Sequence, residues 1–215
     1  MDMSREEERI RMVRDQIEAR GVRDPRVLSA MRSVPRHLFV PESHAREAYA
    51  DHPLPIGNGQ TISQPYIVAV MTELIAPAPG DTILEIGTGS GYQAAILAAC
   101  GVRVISVERI AEVSRLAEEN LRKAGVSGVT IITGDGTEGC LEYAPYNGIL
   151  ITAATPDIPP PLKNQVAEGG RIVAPVGSRD IQELILLTRT GDTFRKELFG
   201  AVRFVPLIGE YGWNS

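Results

Sequence analysis

The chain has 215 residues, 43% of them hydrophobic and 23% charged, with a formal net charge of −5. That length suits one compact α/β domain carrying an appended subdomain, and the acidic surplus argues against a nucleic-acid binder, whose footprint is basic. Cys100 and Cys140, and His37, His44 and His52, show no metal-ligand spacing, the polar start MDMSREEERI is no secretory signal, and no apolar run reaches membrane-spanning length, so a metal-free, cytoplasmic, soluble protein is expected.

Residues 4–20 place Ile10, Val13 and Ile17 on one face among charges and predict an amphipathic helix stopped by Gly21. Asp24-Pro25 then reads as an N-cap with proline at the first helical position, opening a second helix that Pro35 ends. Residues 36–60 are punctuated by proline and glycine and read as irregular, with a helical turn over 43–48. A helix follows Pro65, with Ile67, Met71, Leu74 and Ile75 in step. From residue 82 the pattern is regular: strand 82–86, helix 91–100, strand 102–107, helix 110–124, strand 129–133, strand 147–152, helix 159–168 and strand 171–176. Segments 181–189 and 193–205 then read as an antiparallel hairpin turning at Thr190-Gly191-Asp192. The expectation is an α/β, Rossmann-like, doubly wound sheet, mostly parallel with a C-terminal antiparallel hairpin. Residues 1–60 would form a helical extension and loop packed on a core at 61–215.

The stretch Thr82-Ile83-Leu84-Glu85-Ile86-Gly87-Thr88-Gly89-Ser90-Gly91-Tyr92 combines strand, tight turn and helix start. A dinucleotide fingerprint fails on spacing, because Tyr92 stands where the third glycine should be. The pattern is E-x-G-x-G-x-G, and a carboxylate at Glu85 would suit a cationic ligand better than a pyrophosphate. S-adenosylmethionine, with its sulfonium and amino group, meets that requirement.

In an open parallel sheet the ligand lies outside the carboxyl ends of the strands. Glu85 with Gly87 and Gly89, then Glu108, Asp135 and the Thr152 segment all fall at such ends. Glu108 lies about 20 residues beyond the first glycine, where a carboxylate can accept from both ribose hydroxyls; alternatively it is a solvated strand end. Asp135, between two glycines, suits an approach to an adenine edge or an Asx-turn. Methyl transfer to a carboxylate needs neither metal nor general base, since the acceptor is already ionised at neutral pH. Thr152-Ala153-Ala154 is unlike the Asn/Asp-Pro-Pro-aromatic segment of base methylators, which weighs against a nucleic-acid acceptor.

Leu54 to Ala69, LPIGNGQTISQPYIVA, followed by ILEIGTGSGYQAAILA, VERI, GDG, TAA, GGRIVAPVG and VRFVPL, resembles the protein-L-isoaspartate O-methyltransferase family of class I methyltransferases, from about Ile10 to Ile208. Gln60-Thr61-Ile62-Ser63 is the most specific piece. The resemblance implies methyl transfer from S-adenosylmethionine, released as S-adenosylhomocysteine, to the α-carboxyl of L-isoaspartyl residues in damaged proteins and peptides, with D-aspartyl residues as a further acceptor. It implies that Ser63 contacts the acceptor carboxylate and that Gln60, Thr61, Ile62, Glu85, Gly87, Gly89, Glu108, Arg109, Asp135 and Gly136 surround the cofactor. Arg203 and Val205, in the segment that would close over the acceptor, complete the expected site, and a monomer is expected. Ser63 could instead cap the following helix, but Pro65 at the first helical position would make Gln64 the cap and leave the serine hydroxyl free. A small-molecule O-methyltransferase and a cofactor-binding module without catalysis are the alternatives.

Overall fold

The computed structural model describes residues 4–214. Helix α1 (Arg5–Met12) opens with a capping box in which the Ser4 hydroxyl accepts from the Glu7 N–H and the Glu7 carboxylate accepts from the Ser4 N–H. The single helix expected over 4–20 is not uniform: beyond Met12 it continues as a π-helical turn, Val13–Ile17, and a 3-10 turn, Glu18–Arg20. Met12, Val13 and Ile17 stay buried through this change of winding. Helix α2 (Pro25–Ser33) starts as expected, the Asp24 carboxylate accepting from the N–H groups of Arg26 and Val27.

The region read as irregular contains a β-hairpin, β1 (Leu54–Gly57) and β2 (Gln60–Ile62), paired antiparallel. Its turn is Asn58-Gly59, both with positive φ, 50° and 70°. Such a turn matches the right-handed twist of the flanking strands, and Leu54, Ile56 and Ile62 point into the core. Helix α3 (Pro65–Ile75) follows with Gln64 as N-cap and Pro65 in the first turn.

The main sheet is built from β3 (Thr82–Ile86), β4 (Arg103–Glu108), β5 (Val129–Thr133), β6 (Tyr146–Ile151), β7 (Val166–Gly177), β8 (Gln182–Thr190) and β9 (Thr193–Val202), with α4 (Tyr92–Ala99), α5 (Ala111–Lys123) and α6 (Pro160–Gln165) between strands. Its order is β5-β4-β3-β6-β7-β8-β9, parallel as far as β7 and antiparallel beyond. Two boundaries differ from expectation. The helix expected over 159–168 stops at Gln165 because Val166 already pairs with Tyr146, so β7 starts before the expected 171–176. The last strand ends at Val202, opposite the first residue of β8, and the chain beyond it turns towards the crevice.

Side chains alternate across β3, so Ile83 and Leu84 enter different apolar layers on the two faces. Each such side chain, fully buried, contributes about 1.5–3 kcal/mol. The N-terminal helices share a third cluster with Tyr92, Ile96 and Leu121 from α4 and α5. Winding runs β3-β4-β5 to one side and resumes with β6 on the other. The carboxyl ends of β3 and β6 therefore flank the crevice where such sheets bind ligands.

Candidate active site

The turn after β3 is fixed from below by the turn after β6. The Thr152 N–H and hydroxyl both reach the Ile86 carbonyl at 2.9 Å, and the hydroxyl also approaches the Gly87 carbonyl at 2.5 Å. Gly87 has φ 94°, and a Cβ there would lie 2.6 Å from the Thr152 hydroxyl oxygen. No other residue meets both conditions.

Three recesses meet at this point. A tight cleft of about 50 Å³ is lined by Gln60, Thr61, Ile62, Ser63, the Gly87–Ser90 loop, Glu108 and Thr152 among others. A cavity of about 220 Å³ continues from it, bounded by Val107, Glu108, Arg109, Ile110, Gly136 and Leu207. A groove of about 640 Å³ opens on the far side, between Ser63, Gln64 and Ile67 and the segment 201–206. Thr61, Ser63 and Thr152 border both cleft and groove, and Val205 borders all three recesses.

Glu108, at the end of β4, spans cleft and cavity. One of its oxygens accepts from the Gly89 N–H and the other from the Ile110 N–H, each at 3.1 Å. These bonds aim the carboxylate while leaving lone pairs for two further donors, the pattern a ribose diol requires. Apolar Val107 and Ile110 beside Gly136 make a slot for a flat base, and the Gly87–Ser90 turn with Thr61 surrounds the remaining cleft. The donor set therefore fits S-adenosylmethionine.

Ser63 lies between β2 and α3 at the junction of cleft and groove. The cap of α3 is Gln64, and the Ser63 hydroxyl makes no hydrogen bond among the described residues. It is free to donate to an incoming oxygen. Its carbonyl accepts from Arg36 Nη2 at 2.8 Å. Arg36 is fully buried, its guanidinium 4.8 Å from the centre of the Tyr92 ring. Burial pushes Arg36 down to about 10, so it stays charged at neutral pH.

The structure gathers Gln60, Thr61, Ile62, Ser63, Gly87, Gly89, Glu108, Arg109, Gly136, Arg203 and Val205 around the three recesses. Glu85 and Asp135 border none of the three, although their chain neighbours Ile86, Gly87 and Gly136 do. Glu85 is fully buried behind the glycine turn and lines none of the recesses. It accepts from Ser106 Oγ at 2.5 Å, and its Oε1 has no partner among the described residues. Burial pushes this carboxyl up to about 8, with the Ser106 bond opposing and the Glu108 charge adding. Through that bond Glu85 braces Ser106, which pairs with Thr88 Oγ1 at 2.6 Å under the turn.

Asp135 is likewise committed. Its Oδ1 accepts from the Thr137 N–H and hydroxyl at 2.9 and 2.7 Å, and its Oδ2 from the Glu210 N–H at 2.7 Å. Burial would raise this carboxyl, but those bonds, led by the one from Glu210, hold it below its ordinary value. The Asx-turn reading describes its contacts, and its added role is to clip the C-terminal segment beside the cavity. Val205 and Leu207 in that segment are tied to Ala154 by two backbone bonds of 2.7 Å. Arg36 went unsingled in the sequence, since one charge in a punctuated stretch carries no periodic signal. Tyr92, which the sequence marks only as breaking the dinucleotide spacing, and Gln93, which it marks only as helix, also line the cleft.

A doubly wound sheet of this order, with a strand-end carboxylate anchored to a glycine turn, defines a class I S-adenosylmethionine-dependent methyltransferase. Residues 7–212 match the family model described as protein-L-isoaspartate(D-aspartate) O-methyltransferase. The chain is 70% identical over 212 residues to the protein-L-isoaspartate O-methyltransferase of Methanospirillum hungatei JF-1, covering 99% of this chain and 98% of that one. It is 58% identical to the protein of the same name from Methanoregula boonei, covering 98% and 97%. A solved protein-L-isoaspartate O-methyltransferase superposes with a TM-score of 0.86 at 28% identity, covering 97% of this chain and 67% of that one. The fold also matches a Plasmodium falciparum structure described as a complex with S-adenosyl-L-homocysteine, with a TM-score of 0.83 at 23% identity over 93% and 98% of the two chains. The chain belongs to the protein-L-isoaspartate O-methyltransferase family.

Proposed function

We propose that the chain methylates the α-carboxyl of L-isoaspartyl residues in damaged proteins, with D-aspartyl residues as a second acceptor, and that Ser63 receives that carboxylate. The observation that carries this reading is the junction: Ser63, Thr61, Thr152 and Val205 border both the cofactor cleft and the open groove. When bound, S-adenosylmethionine supplies a methyl group activated by its sulfonium. Glu108 would hold its ribose, the slot between Val107, Ile110 and Gly136 its base, and the Gly87–Ser90 turn its amino-acid portion.

The Ser63 hydroxyl donates to one oxygen of the acceptor carboxylate, which turns the other oxygen towards the cleft. A neutral donor orients the nucleophile without trapping it in an ion pair, and Val205 and Ile62 exclude water from the approach. The acceptor is ionised at neutral pH, so no base is needed. The resulting ester closes to a succinimide, which hydrolyses partly to aspartate.

A small hydroxyl acceptor would call for a base, yet no His, Asp or Glu lines the groove. The groove's size suits a polypeptide. Cys100 and Cys140 are free thiols, as in a reducing compartment, which supports the cytoplasm as the proposed setting.

The test uses two peptides identical except for one isoaspartyl or aspartyl linkage, with labelled methyl donor. Base-labile label on the isoaspartyl peptide alone is the expected result. Equal label on both, or label stable to base, would contradict it.

A further inference from the structure

Arg36 is a buried cation that the reaction, as derived above, does not use. Nε donates to the Ala48 carbonyl at 2.7 Å and Nη2 to the Ser63 carbonyl at 2.8 Å, while Nη1 has no partner among the described residues. No carboxylate pairs with it there; its charge meets two carbonyls and the ring of Tyr92. A buried guanidinium without a carboxylate is costly, and an apolar side chain would fill the same volume more cheaply if packing were its only task. Local rules are broken in this way where a site has to be held.

The neighbours of Ser63, Ile62 and Gln64, are fixed by strand pairing and by a bond to Asp51, but Ser63 itself has little else to hold it. Ser63 follows the last residue of β2 and precedes Gln64, whose side chain donates to the Asp51 carbonyl at 2.9 Å rather than capping α3, and Pro65 has no N–H to donate. The bond from Arg36 is the one hydrogen bond Ser63 makes among the described residues. The same guanidinium rests on Tyr92, which lines the cofactor cleft. One rigid fork thus connects the wall of the cleft, the end of the 3-10 segment Glu42–Glu47 and the serine at the junction.

We propose that Arg36 is a positioning residue for methyl transfer, clamping the Ser63 backbone against Tyr92 so that the hydroxyl stays at the mouth of the groove. This rests on the reading of Ser63 given above. Lysine would keep the charge but, with a single ammonium, cannot reproduce the planar fork that reaches both carbonyls and stacks on the ring.

The test is a double-mutant cycle of Arg36→Lys and Ser63→Ala in the full chain, purified with S-adenosylhomocysteine present. Arg36→Lys alone is expected to lower kcat by about tenfold or more while S-adenosylhomocysteine Kd stays within about threefold. In the Ser63→Ala background the same substitution is expected to change kcat by less than about twofold, because the group it positions is gone. Ile17→Ala, a buried change elsewhere in the N-terminal cluster, serves as the stability control; it should lower Tm and leave kcat alone. Equal kcat losses from Arg36→Lys with and without Ser63 would overturn the proposal, as would an unchanged kcat. So would failure of both Arg36→Lys and Arg36→Met to fold with the ligand present, since a positioning role predicts a folded, slow enzyme. A Ser63→Ala enzyme with normal kcat would instead refute the reading of the serine.

Discussion

At the residue scale, two carboxylates near the same turn have opposite roles because their surroundings differ. Glu108 sits at the mouth, oriented by two N–H donors; removing it as Glu108→Ala should weaken S-adenosylhomocysteine roughly tenfold to a hundredfold, as loss of charge-assisted hydrogen bonds does, and titration calorimetry would measure this. Glu85 is sealed behind the turn, its carboxyl pushed up to about 8, far above the unfolded value of about 4.3. Between those two values the folded state keeps a proton that the unfolded state releases. The stability Glu85 contributes is therefore fully present below about pH 4.3 and is lost as pH rises towards 8, by at most about 1.4 kcal/mol per unit. Urea unfolding at several pH values should show this fall in the parent chain and a flatter profile in Glu85→Gln; an identical slope in both would refute it. The sequence distinguished Glu108 by its distance from the glycines. It could not place Glu85, because burial at a strand end depends on what packs behind the turn, here Ser106 and Thr88.

At the element scale, the alternating β-α pattern was legible because each strand is a short apolar run between turn residues, and every strand of the main sheet overlaps an expected one, though β7 starts earlier and β9 ends sooner than the pattern says. What was not legible was where tertiary pairing ends an element. Val166 leaves the helical pattern for a strand because Tyr146 is there to pair with it. The hairpin before Ser63 did have a signal, Asn58-Gly59 between alternating apolar residues, which proline at 53 and 55 obscured. Its turn needs positive φ at both positions, so Gly59→Val should destabilise the fold by about 1–2 kcal/mol and loosen the strand leading to Ser63; thermal unfolding would register it. Gly87→Ala is more severe, since the new Cβ would meet the Thr152 hydroxyl at 2.6 Å. It should reduce S-adenosylhomocysteine affinity by more than about tenfold, corresponding to roughly 1.4 kcal/mol or more, and equilibrium dialysis would show no change if the turn were slack.

At the scale of the whole molecule, an acidic chain presents a groove whose lining includes Arg179 and Arg203 and no acidic residue. Such a surface draws an anionic acceptor through long-range attraction that salt screens. Raising the salt from about 20 to about 300 mM should increase KM for an isoaspartyl peptide several-fold while leaving S-adenosylhomocysteine affinity nearly unchanged; a flat KM would show that the arginines do not steer. The same separation of donor and acceptor sides underlies the whole account. Cofactor cleft and acceptor groove meet at Ser63, and Glu108, which anchors the cofactor side, does not border the groove. The most direct measurement is therefore kcat for the isoaspartyl peptide and Kd for S-adenosylhomocysteine, determined side by side in Ser63→Ala. The account predicts a fall in kcat of roughly a hundredfold with Kd within about twofold of the parent. Normal turnover with weakened S-adenosylhomocysteine binding would contradict it, because Ser63 would then belong to the cofactor side alone.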